Sequence, residues 1–284
     1  ADFVQPASLA PLLDRAAPDV IVNAAAYTAV DRAEEEEALA HIINADAPGA
    51  MARAAAELGV PFVQISTDYV FGGDASSPYE PGDLDPQARP ATVYGRTKLD
   101  GERAALQADP RTTVVRTAWV YTGGPQSPDF VGTMRRLESQ RDRISVVDDQ
   151  RGSPTYAPDL AVGLWELASI GPVAGVAGQV LHATNAGEVT WWEVARAVFA
   201  DVGADPERIG PVRRRDVDPA APRQQAPRPQ QAPQRPAPQQ PAPQQPQPIS
   251  TEATTTNATG SAGGHRGSWD SDLECLVCRE PYSC

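Results

Sequence analysis

Residues 92–102 read Thr-Val-Tyr-Gly-Arg-Thr-Lys-Leu-Asp-Gly-Glu, which places a tyrosine and a lysine four positions apart. In a helix, Tyr94 and Lys98 would lie on one face, one turn from each other. A lysine ammonium near a phenol favours the phenolate and lowers the pKa of the tyrosine. Such a pair can give a proton to a carbonyl oxygen and take it back. The alternative is an ordinary surface helix, because this spacing of tyrosine and lysine is common.

The sequence on either side of this stretch favours the chemical interpretation. Lys98 is the only lysine in the chain. Upstream, the apolar residues 60–65 run directly into Ser-Thr-Asp-Tyr-Val-Phe at 66–71, which predicts a buried strand that ends in hydroxyl side chains. Residues 19–26, Asp-Val-Ile-Val-Asn-Ala-Ala-Ala, are also mostly apolar, as is typical of a strand covered on both faces of a parallel sheet. The pattern therefore predicts an α/β fold with a parallel sheet.

Three motifs in order resemble those of a known enzyme family. They are Ser-Thr-Asp-Tyr-Val-Phe-Gly at 66–72, Val-Tyr-Gly-Arg-Thr-Lys at 93–98 and Arg-Thr-Ala-Trp-Val-Tyr at 116–121. Together they are similar to the dTDP-4-dehydrorhamnose reductases, which belong to the extended short-chain dehydrogenase/reductases. The resemblance covers about residues 1–212. It implies a doubly wound, Rossmann-type parallel sheet with a small C-terminal substrate lobe.

The resemblance also implies an activity and a set of site residues. The activity is reduction of dTDP-4-dehydrorhamnose to dTDP-L-rhamnose, with hydride supplied by NADPH or NADH. Tyr94 would protonate the C4 oxygen, Lys98 would hold the ribose hydroxyls of the cofactor, and Thr67 would donate a hydrogen bond to the same oxygen. The residues implied to bind the sugar nucleotide are Thr67, Asp68 and Trp119. Those implied to bind the cofactor are Asp2, Phe3, Ala26, Tyr27, Thr28, Tyr94 and Lys98.

Alternatives stay open for the function and for single residues. A non-catalytic dinucleotide-binding regulatory subunit is one, although the intact Thr67, Tyr94 and Lys98 argue against it. A nucleotide-sugar epimerase is the other, since the residues do not show whether hydride is returned. Trp119 could belong to the core instead of stacking on a sugar or base. Asn44 could line the helix of the active site or lie on a helix surface.

Composition limits the partners that we expect. A formal net charge of -13 argues against nucleic acid, because no basic face would neutralise phosphates. No apolar run is long enough to span a membrane, and no signal peptide is visible, so we expect a cytoplasmic protein. A homodimer is the assembly that we keep open. Mg²⁺ occurs in the resembled family, but the sequence does not support a metal site.

The chain divides by composition into three parts. We expect residues 1–125 to form a partial dinucleotide-binding domain and residues 126–212 a partial substrate lobe, with some interleaving of the two. Residues 213–284 are rich in proline and glutamine and predict a disordered tail. All three cysteines lie in the last ten residues, and their irregular spacing from His265 argues against a zinc site.

The beginning of the sequence departs from the resembled pattern. A doubly wound sheet normally opens with a strand, a glycine-rich turn and a helix whose amino terminus faces the pyrophosphate. No such turn precedes residue 19. We therefore expect the sheet to lack its first strands, with a gap between two groups of the remaining strands. On that basis we expect a poorly folded, inactive chain, whose function belongs to an intact parent.

Several further elements can be predicted from the pattern. Residues 72–90 form a polar loop that could cover the site as a lid. The glutamates at 34–37 predict a solvated helix face. Thr190 is predicted to cap a helix together with Glu193. The predicted helices cover residues 6–17, 31–58, 93–107, 130–140, 158–169 and 190–199, and the remaining predicted strands cover residues 112–116, 144–147 and 180–184.

Overall fold

A four-stranded parallel sheet lies at the centre of the computed structural model, which describes residues 1–85, 88–170 and 175–216. Every neighbouring pair in it is parallel. The prediction of an α/β fold with a parallel sheet is therefore confirmed. In spatial order the strands are β1 (Ile21–Asn23), β2 (Phe62–Thr67), β3 (Thr113–Thr117) and β8 (Val180–His182).

Helices and short strands complete the described part of the chain. The helices are α1 (Leu9–Ala16), α2 (Val30–Ala33), α3 (Glu37–His41), α4 (Ala47–Leu58), α5 (Val93–Ala108), α6 (Phe130–Glu138), α7 (Ala157–Ile170) and α8 (Trp191–Asp201). The short strands are β4 (Val120–Tyr121), β5 (Ile144–Val147), β6 (Arg151–Gly152), β7 (Thr155–Tyr156), β9 (Val189–Thr190) and β10 (Ile209–Val212).

The sheet is covered on both faces. Successive side chains of a strand point to opposite faces of the sheet, so Phe62 and Val63 of β2 lie on its two faces. Phe62 packs in a cluster with residues of α1, α4 and α5, including Leu9 and Met51. Val63 packs in another cluster, with Leu167 of α7. The result is a three-layer arrangement, and the carboxyl ends of its strands form one edge.

A smaller cluster lies among the later elements. β5 pairs in parallel with β10, and residues of α6 and α8 pack beside this pair around Met134 and Phe199. Thr190 and Glu193 form the predicted capping box of α8. Helix α7 and strand β8 pack with the central sheet although they follow residue 125. The domain boundary near that residue stays a prediction.

Two expectations about the elements are wrong. The described strands are contiguous in the order β1-β2-β3-β8, without the expected gap. In the usual order 3-2-1-4-5-6, strands 4 to 6 follow one another on one side of the sheet, and the described strands are arranged in that way. The single helix expected at 31–58 is instead α2, α3, a π-helical turn at Ile42–Asp46 and α4.

Some expectations are not decided by the fold. The tail beyond Asp216, which includes His265 and the three cysteines, lies outside the described residues. That the chain folds poorly stays a prediction. Within the described ranges, no helix is both long enough and apolar enough to cross a membrane.

Candidate active site

Thr67, Tyr94 and Lys98 come together at the carboxyl end of β2. Thr67 is the last residue of that strand, and Tyr94, in the first turn of α5, packs against the turn that follows it, with 5.4 Å between the ring centroids of Tyr94 and Tyr69. Lys98 lies one turn further along α5, where its ammonium donates to the carbonyl oxygen of Ile65, with 2.6 Å between the two atoms. The three side chains predicted to be catalytic therefore lie together at the carboxyl end of β2.

The first turn of α5 is fixed by caps and by a close approach. The hydroxyl of Thr92 accepts from the amide of Gly95 at 3.0 Å, and the carboxylate of Glu34 accepts from the amide of Val93 at 2.9 Å. Glycine is required at 95, because a Cβ there would lie 2.3 Å from the carbonyl oxygen of Tyr69. This contact sets Tyr94 against the turn that follows β2. The Glu34 side chain is exposed, in keeping with the predicted solvated face, and it also caps α5.

The pKa of Tyr94 is raised to about 12. Burial is the largest cause; the hydrogen bond with Thr67 lowers the pKa, and the charges of Asp68 and Tyr69 raise it. The expectation of a lowered pKa is wrong for this arrangement. The pKa of Tyr94 is raised because burial penalises the phenolate, and because the ammonium of Lys98 is bonded to the backbone of β2. At neutral pH the phenol keeps its proton.

Lys98 is deeply buried, with 4% of its surface exposed. Burial lowers its pKa to about 8, and the charge of Glu102 acts in the opposite direction. The ammonium form therefore still predominates at neutral pH. The helix supplies a positive charge at the strand end, at the position expected for a residue that holds ribose hydroxyls.

A buried ion pair between α5 and β3 lies next to the site, and the sequence pattern did not predict it. Glu102 binds Arg116 of β3 through two hydrogen bonds of 2.9 and 2.8 Å, and it also accepts from the hydroxyl of Ser66 at 2.5 Å. Arg116 in turn donates to the carbonyl oxygen of Pro81 at 3.1 Å. The pair therefore ties α5, β2 and β3 to the polar loop that was predicted as a lid. Glu102 follows Lys98 by four residues, and this spacing was the available signal.

Asp68 adjoins the three side chains. Its carboxylate accepts from the hydroxyl of Thr67 at 2.9 Å. Burial raises its pKa to about 6, against the lowering effect of hydrogen bonds from Thr67 and from backbone amides. Its predicted role in holding the sugar nucleotide stays a prediction.

Asn44 fixes the loop after β1 to α5. It is buried, which excludes the helix-surface interpretation. Its amide accepts from the backbone nitrogen of Tyr27 at 2.8 Å and donates to the carbonyl oxygen of Tyr27 and to the hydroxyl of Thr97, both at 3.1 Å. The predicted cofactor segment Ala26, Tyr27 and Thr28 thereby lies beside the active-site helix, and Tyr27 packs in one cluster with Tyr94.

Asp2 and Phe3, the other residues predicted to bind the cofactor, do not lie with Thr67, Tyr94 and Lys98. The carboxylate of Asp2 accepts from the backbone of Val4 and the side chain of Gln5. Phe3 packs against the cluster that contains Ile21, at the amino end of β1, and this cluster is separate from the one that contains Tyr94. The structure does not bring these two residues together with the central three, and their contact with a cofactor stays a prediction.

Trp119 sits in an aromatic stack. The chain register pairs Thr117 with Thr67, so Trp119 follows β3 at the same edge of the sheet. One face of its ring stacks on Trp191, with 3.5 Å between ring centroids, and its backbone is left-handed with φ 49°. Gly152 approaches the ring so closely that a Cβ would clash with it. Trp119 is therefore part of a packed stack, and its predicted contact with a sugar or base stays a prediction.

Thr117 is a further residue that sequence reasoning missed. It is buried, and within the described part of the chain its hydroxyl has no hydrogen-bond partner. A buried, unpaired hydroxyl is costly unless something else satisfies it. Its position opposite Thr67 makes it a ready hydrogen-bonding group for a ligand at this edge. It was visible in the sequence only as the second residue of the Arg-Thr-Ala-Trp-Val-Tyr motif.

Comparison with known proteins identifies the family. A family model described as "RmlD substrate binding domain" matches residues 1–259. The chain belongs to this family. Relatives of the RmlD family named dTDP-4-dehydrorhamnose reductase include a Mycobacterium tuberculosis protein, 52% identical over 209 residues, and a Mycolicibacterium smegmatis protein, 51% identical over 194 residues.

The alignments cover only part of these RmlD-family relatives. They span 72% of this chain and 66% of the Mycobacterium tuberculosis protein, and 68% and 57% for the Mycolicibacterium smegmatis protein. The chain thus spans less than two thirds of the length of either protein.

Solved RmlD-family structures show the same fold. A dTDP-4-dehydrorhamnose reductase from Bacillus anthracis in complex with NADP matches with a TM-score of 0.68 and 34% identity, covering 76% of this chain and 74% of that chain. An orthologue from Clostridium acetobutylicum also matches with a TM-score of 0.68, at 35% identity, covering 76% and 73%. The Rossmann-type fold class implied by the sequence motifs is therefore confirmed.

Proposed function

We propose that the chain, as printed or as part of a longer polypeptide, reduces dTDP-4-dehydrorhamnose to dTDP-L-rhamnose with a nicotinamide dinucleotide as hydride donor. The observation that carries the proposal is the meeting of Thr67, Tyr94 and Lys98 at the carboxyl end of β2. The names of the 52% and 51% identical relatives support the choice of substrate. A regulatory subunit without activity would not need this proton-transfer group.

The described residues fit the nicotinamide end of such a cofactor. A buried ammonium at Lys98 suits ribose hydroxyls, and the unpaired hydroxyl of Thr117 offers a further hydrogen bond at the same edge. The short side chain of Ala26 lets a flat ring approach the backbone of the loop that Asn44 holds in place. The Bacillus anthracis relative was solved with NADP, which supports NADPH or NADH as the hydride donor.

The chemistry divides between the cofactor and the protein. The cofactor supplies the hydride. Tyr94 holds a proton at its phenol oxygen at neutral pH, as its raised pKa requires, and gives it to the C4 oxygen as negative charge develops there. Lys98 keeps positive charge beside the strand end, which stabilises that negative charge. Thr67, at the end of β2, would donate a hydrogen bond to the same C4 oxygen.

The direct test is a turnover assay on protein that first shows a cooperative thermal transition. NADPH and NADH are each mixed with dTDP-4-dehydrorhamnose, and loss of absorbance at the reduced nicotinamide band is followed together with formation of dTDP-L-rhamnose. We expect oxidation of the cofactor in equal amounts with product. Folded protein that binds the cofactor and produces no rhamnosyl nucleotide would contradict the proposal. Product that appears without net oxidation of the cofactor would indicate an epimerase.

The assembly and location are proposals of the same kind. We propose a cytoplasmic homodimer, on the strength of the family resemblance. Light scattering of the purified protein at several concentrations tests the dimer, since a mass of one chain at every concentration would oppose it.

A further inference from the structure

Lys98 and Glu102 of α5 are buried, oppositely charged residues that do not bind each other. A lysine and a glutamate four residues apart on a helix can form an ion pair. Both side chains are almost fully buried, with 4% and 2% of the two residues exposed. The ammonium of Lys98 nevertheless donates to the carbonyl oxygen of Ile65, at 2.6 Å. Among the salt bridges of the described residues, Glu102 pairs with Arg116 and not with Lys98.

The carboxylate of Glu102 has most of its hydrogen-bonding capacity filled by other partners. Its Oε1 accepts from Nε of Arg116 at 2.9 Å and from the hydroxyl of Ser66 at 2.5 Å. Its Oε2 accepts from Nη2 of Arg116 at 2.8 Å. A carboxylate has about four acceptor sites, so these bonds occupy most of them. The two bonds from the planar guanidinium also fix the orientation of the carboxylate, which a single ammonium could not do.

Arg116 is itself held in place from a second side. It is buried, and its Nη1 donates to the carbonyl oxygen of Pro81 at 3.1 Å. Its guanidinium lies over the ring of Phe71, 5.1 Å from the centroid. The contacts with Pro81 and Phe71 come from the chain that follows β2, whereas Glu102 belongs to α5. The guanidinium therefore keeps one position, and its charge stays on Glu102.

We propose that Arg116 is a positioning residue for Lys98: it holds the carboxylate of Glu102, so that the ammonium of Lys98 stays on β2 and is left for a bound ligand. An ammonium has three donors, and within the described residues Lys98 uses one of them, on Ile65. Two positive charges and one negative charge leave a single positive charge at this place. That the ligand is a nicotinamide dinucleotide rests on the proposed reductase function, whereas the separation of Lys98 from Glu102 does not.

Removal of Arg116 should redirect Lys98. A buried carboxylate without a partner is costly, and Lys98 lies one turn back on the same helix. The ammonium would leave Ile65 for Glu102, and its pKa would rise because an opposite charge favours the charged form. In the native protein burial lowers the pKa of Lys98, and the charge of Glu102 acts in the opposite direction. Other titratable groups on the surrounding elements are Tyr94 of α5, Asp68 and Tyr69 after β2, and His182 of β8.

The titration of Lys98 can be measured without activity. Lys98 is the only lysine in the chain, so protein labelled with ¹³C at the lysine Cε gives one side-chain signal for NMR. We expect its native midpoint to lie below the ordinary value of about 10.4. In Arg116→Met the midpoint should rise by about one pH unit or more. The dissociation constant of NADPH at pH 7 should increase by about tenfold or more, the usual effect of losing a hydrogen bond to a charged group.

A double variant separates positioning from a loosened fold. Arg116→Met together with Glu102→Gln removes both charges, so no carboxylate remains to attract Lys98. The midpoint and the NADPH affinity should then return close to their native values. Arg111→Met is the matched control, because Arg111 also makes two hydrogen bonds to one carboxylate, that of Asp109, at 3.0 and 2.9 Å. Arg111 is exposed and precedes β3, so its loss should change neither measurement.

Several results would overturn the proposal. An unchanged midpoint or an unchanged NADPH affinity in Arg116→Met would do so, as would losses that persist in the double variant. Where Arg116→Met does not unfold cooperatively, Arg116→Gln takes its place with the same expectations, since it keeps an amide donor toward Glu102. A native midpoint at or above about 10.4 would contradict the proposal without any variant, because Lys98 would then be ion-paired or hydrated.

Failure of the proposed function gives a different result. Native protein that neither binds NADPH nor reduces the sugar nucleotide would count against the reductase assignment. The midpoints of Lys98 in native protein, Arg116→Met and the double variant would still decide whether Arg116 holds Glu102 away from Lys98.

Discussion

Tyr94 is the side chain on which the proposed proton transfer depends most directly. Replacement by phenylalanine removes the hydroxyl but keeps the ring that packs with Tyr27 and Tyr69. We expect kcat of Tyr94→Phe to fall by about 100-fold or more, the usual effect of losing a general acid. The dissociation constant of NADPH, measured by fluorescence titration, should change little. Equal losses in turnover and cofactor affinity would point to a structural tyrosine.

Lys98 gives a pH dependence that does not require activity. Its pKa is about 8 in the folded protein and about 10.5 when unfolded, so the unfolded chain binds more protons between these values. Stability must therefore rise as pH increases through this window, by roughly 2 kcal/mol between pH 8 and 10. Tyr94, with its pKa near 12, acts in the opposite direction only at higher pH.

Urea unfolding at several pH values measures this effect. Native protein should show the rise in the free energy of unfolding, and Lys98→Met should lack it. Arg103→Met, on the same helix, removes a charge at an exposed position and should keep the rise. If the free energy of unfolding of the native protein does not change between pH 8 and 10, the ammonium of Lys98 is hydrated and its pKa is not lowered by burial.

At the level of single residues, sequence identified which side chains meet but not how they are charged. The four-residue spacing of Tyr94 and Lys98 and the strand before Thr67 were sufficient to place them together. The pKa values depend on burial and on partners such as Ile65 and Asp68, which adjoin in space and cannot be read from the spacing. The stacking of Trp191 on Trp119 joins residues far apart in the sequence, and no local pattern indicates it.

Among the elements, the strands and α5 were predictable while the π-helical turn was not. Continuous apolar runs marked β1 and β2, and the capping box of Thr190 marked the start of α8. The turn at Ile42–Asp46 has the composition of an ordinary helix. It departs from α-helical geometry where it meets α5, at a carbonyl oxygen of Asn44 that faces Gly101.

Gly101 is the position at which this packing can be tested. A Cβ there would lie 1.9 Å from the carbonyl oxygen of Asn44, which is backbone and cannot rotate away. We expect Gly101→Ala to lower the free energy of unfolding by about 2 kcal/mol or more, as overpacking usually does. Gly163→Ala in α7 meets nothing within 4 Å and should stabilise the protein by about 0.5–1 kcal/mol. Chemical denaturation compares the two, and equal effects would contradict the tight contact.

Considered as a whole, the molecule presents two surfaces that suit association. Among the described strands, β1 has a neighbour on one side only, so its outer edge offers free backbone groups. On α7, the side chains of Val162 and Trp165 are 54% and 74% exposed, and together they form an apolar face. The sequence pattern did predict the helix, but an apolar helix gives no sign of which of its faces the sheet will cover.

The apolar face of α7 gives the last prediction. Large exposed apolar patches mark sites of association in soluble proteins, so we expect the purified chain to self-associate as its concentration rises. The double variant Val162→Glu, Trp165→Glu places two charges on that face and should weaken self-association at least tenfold, measured by sedimentation velocity. Val202→Glu, 38% exposed near the end of α8, adds the same kind of charge elsewhere and should have no such effect. Unchanged sedimentation of the double variant, with association intact, would place the contact on another surface, of which the open edge of β1 is the first to examine.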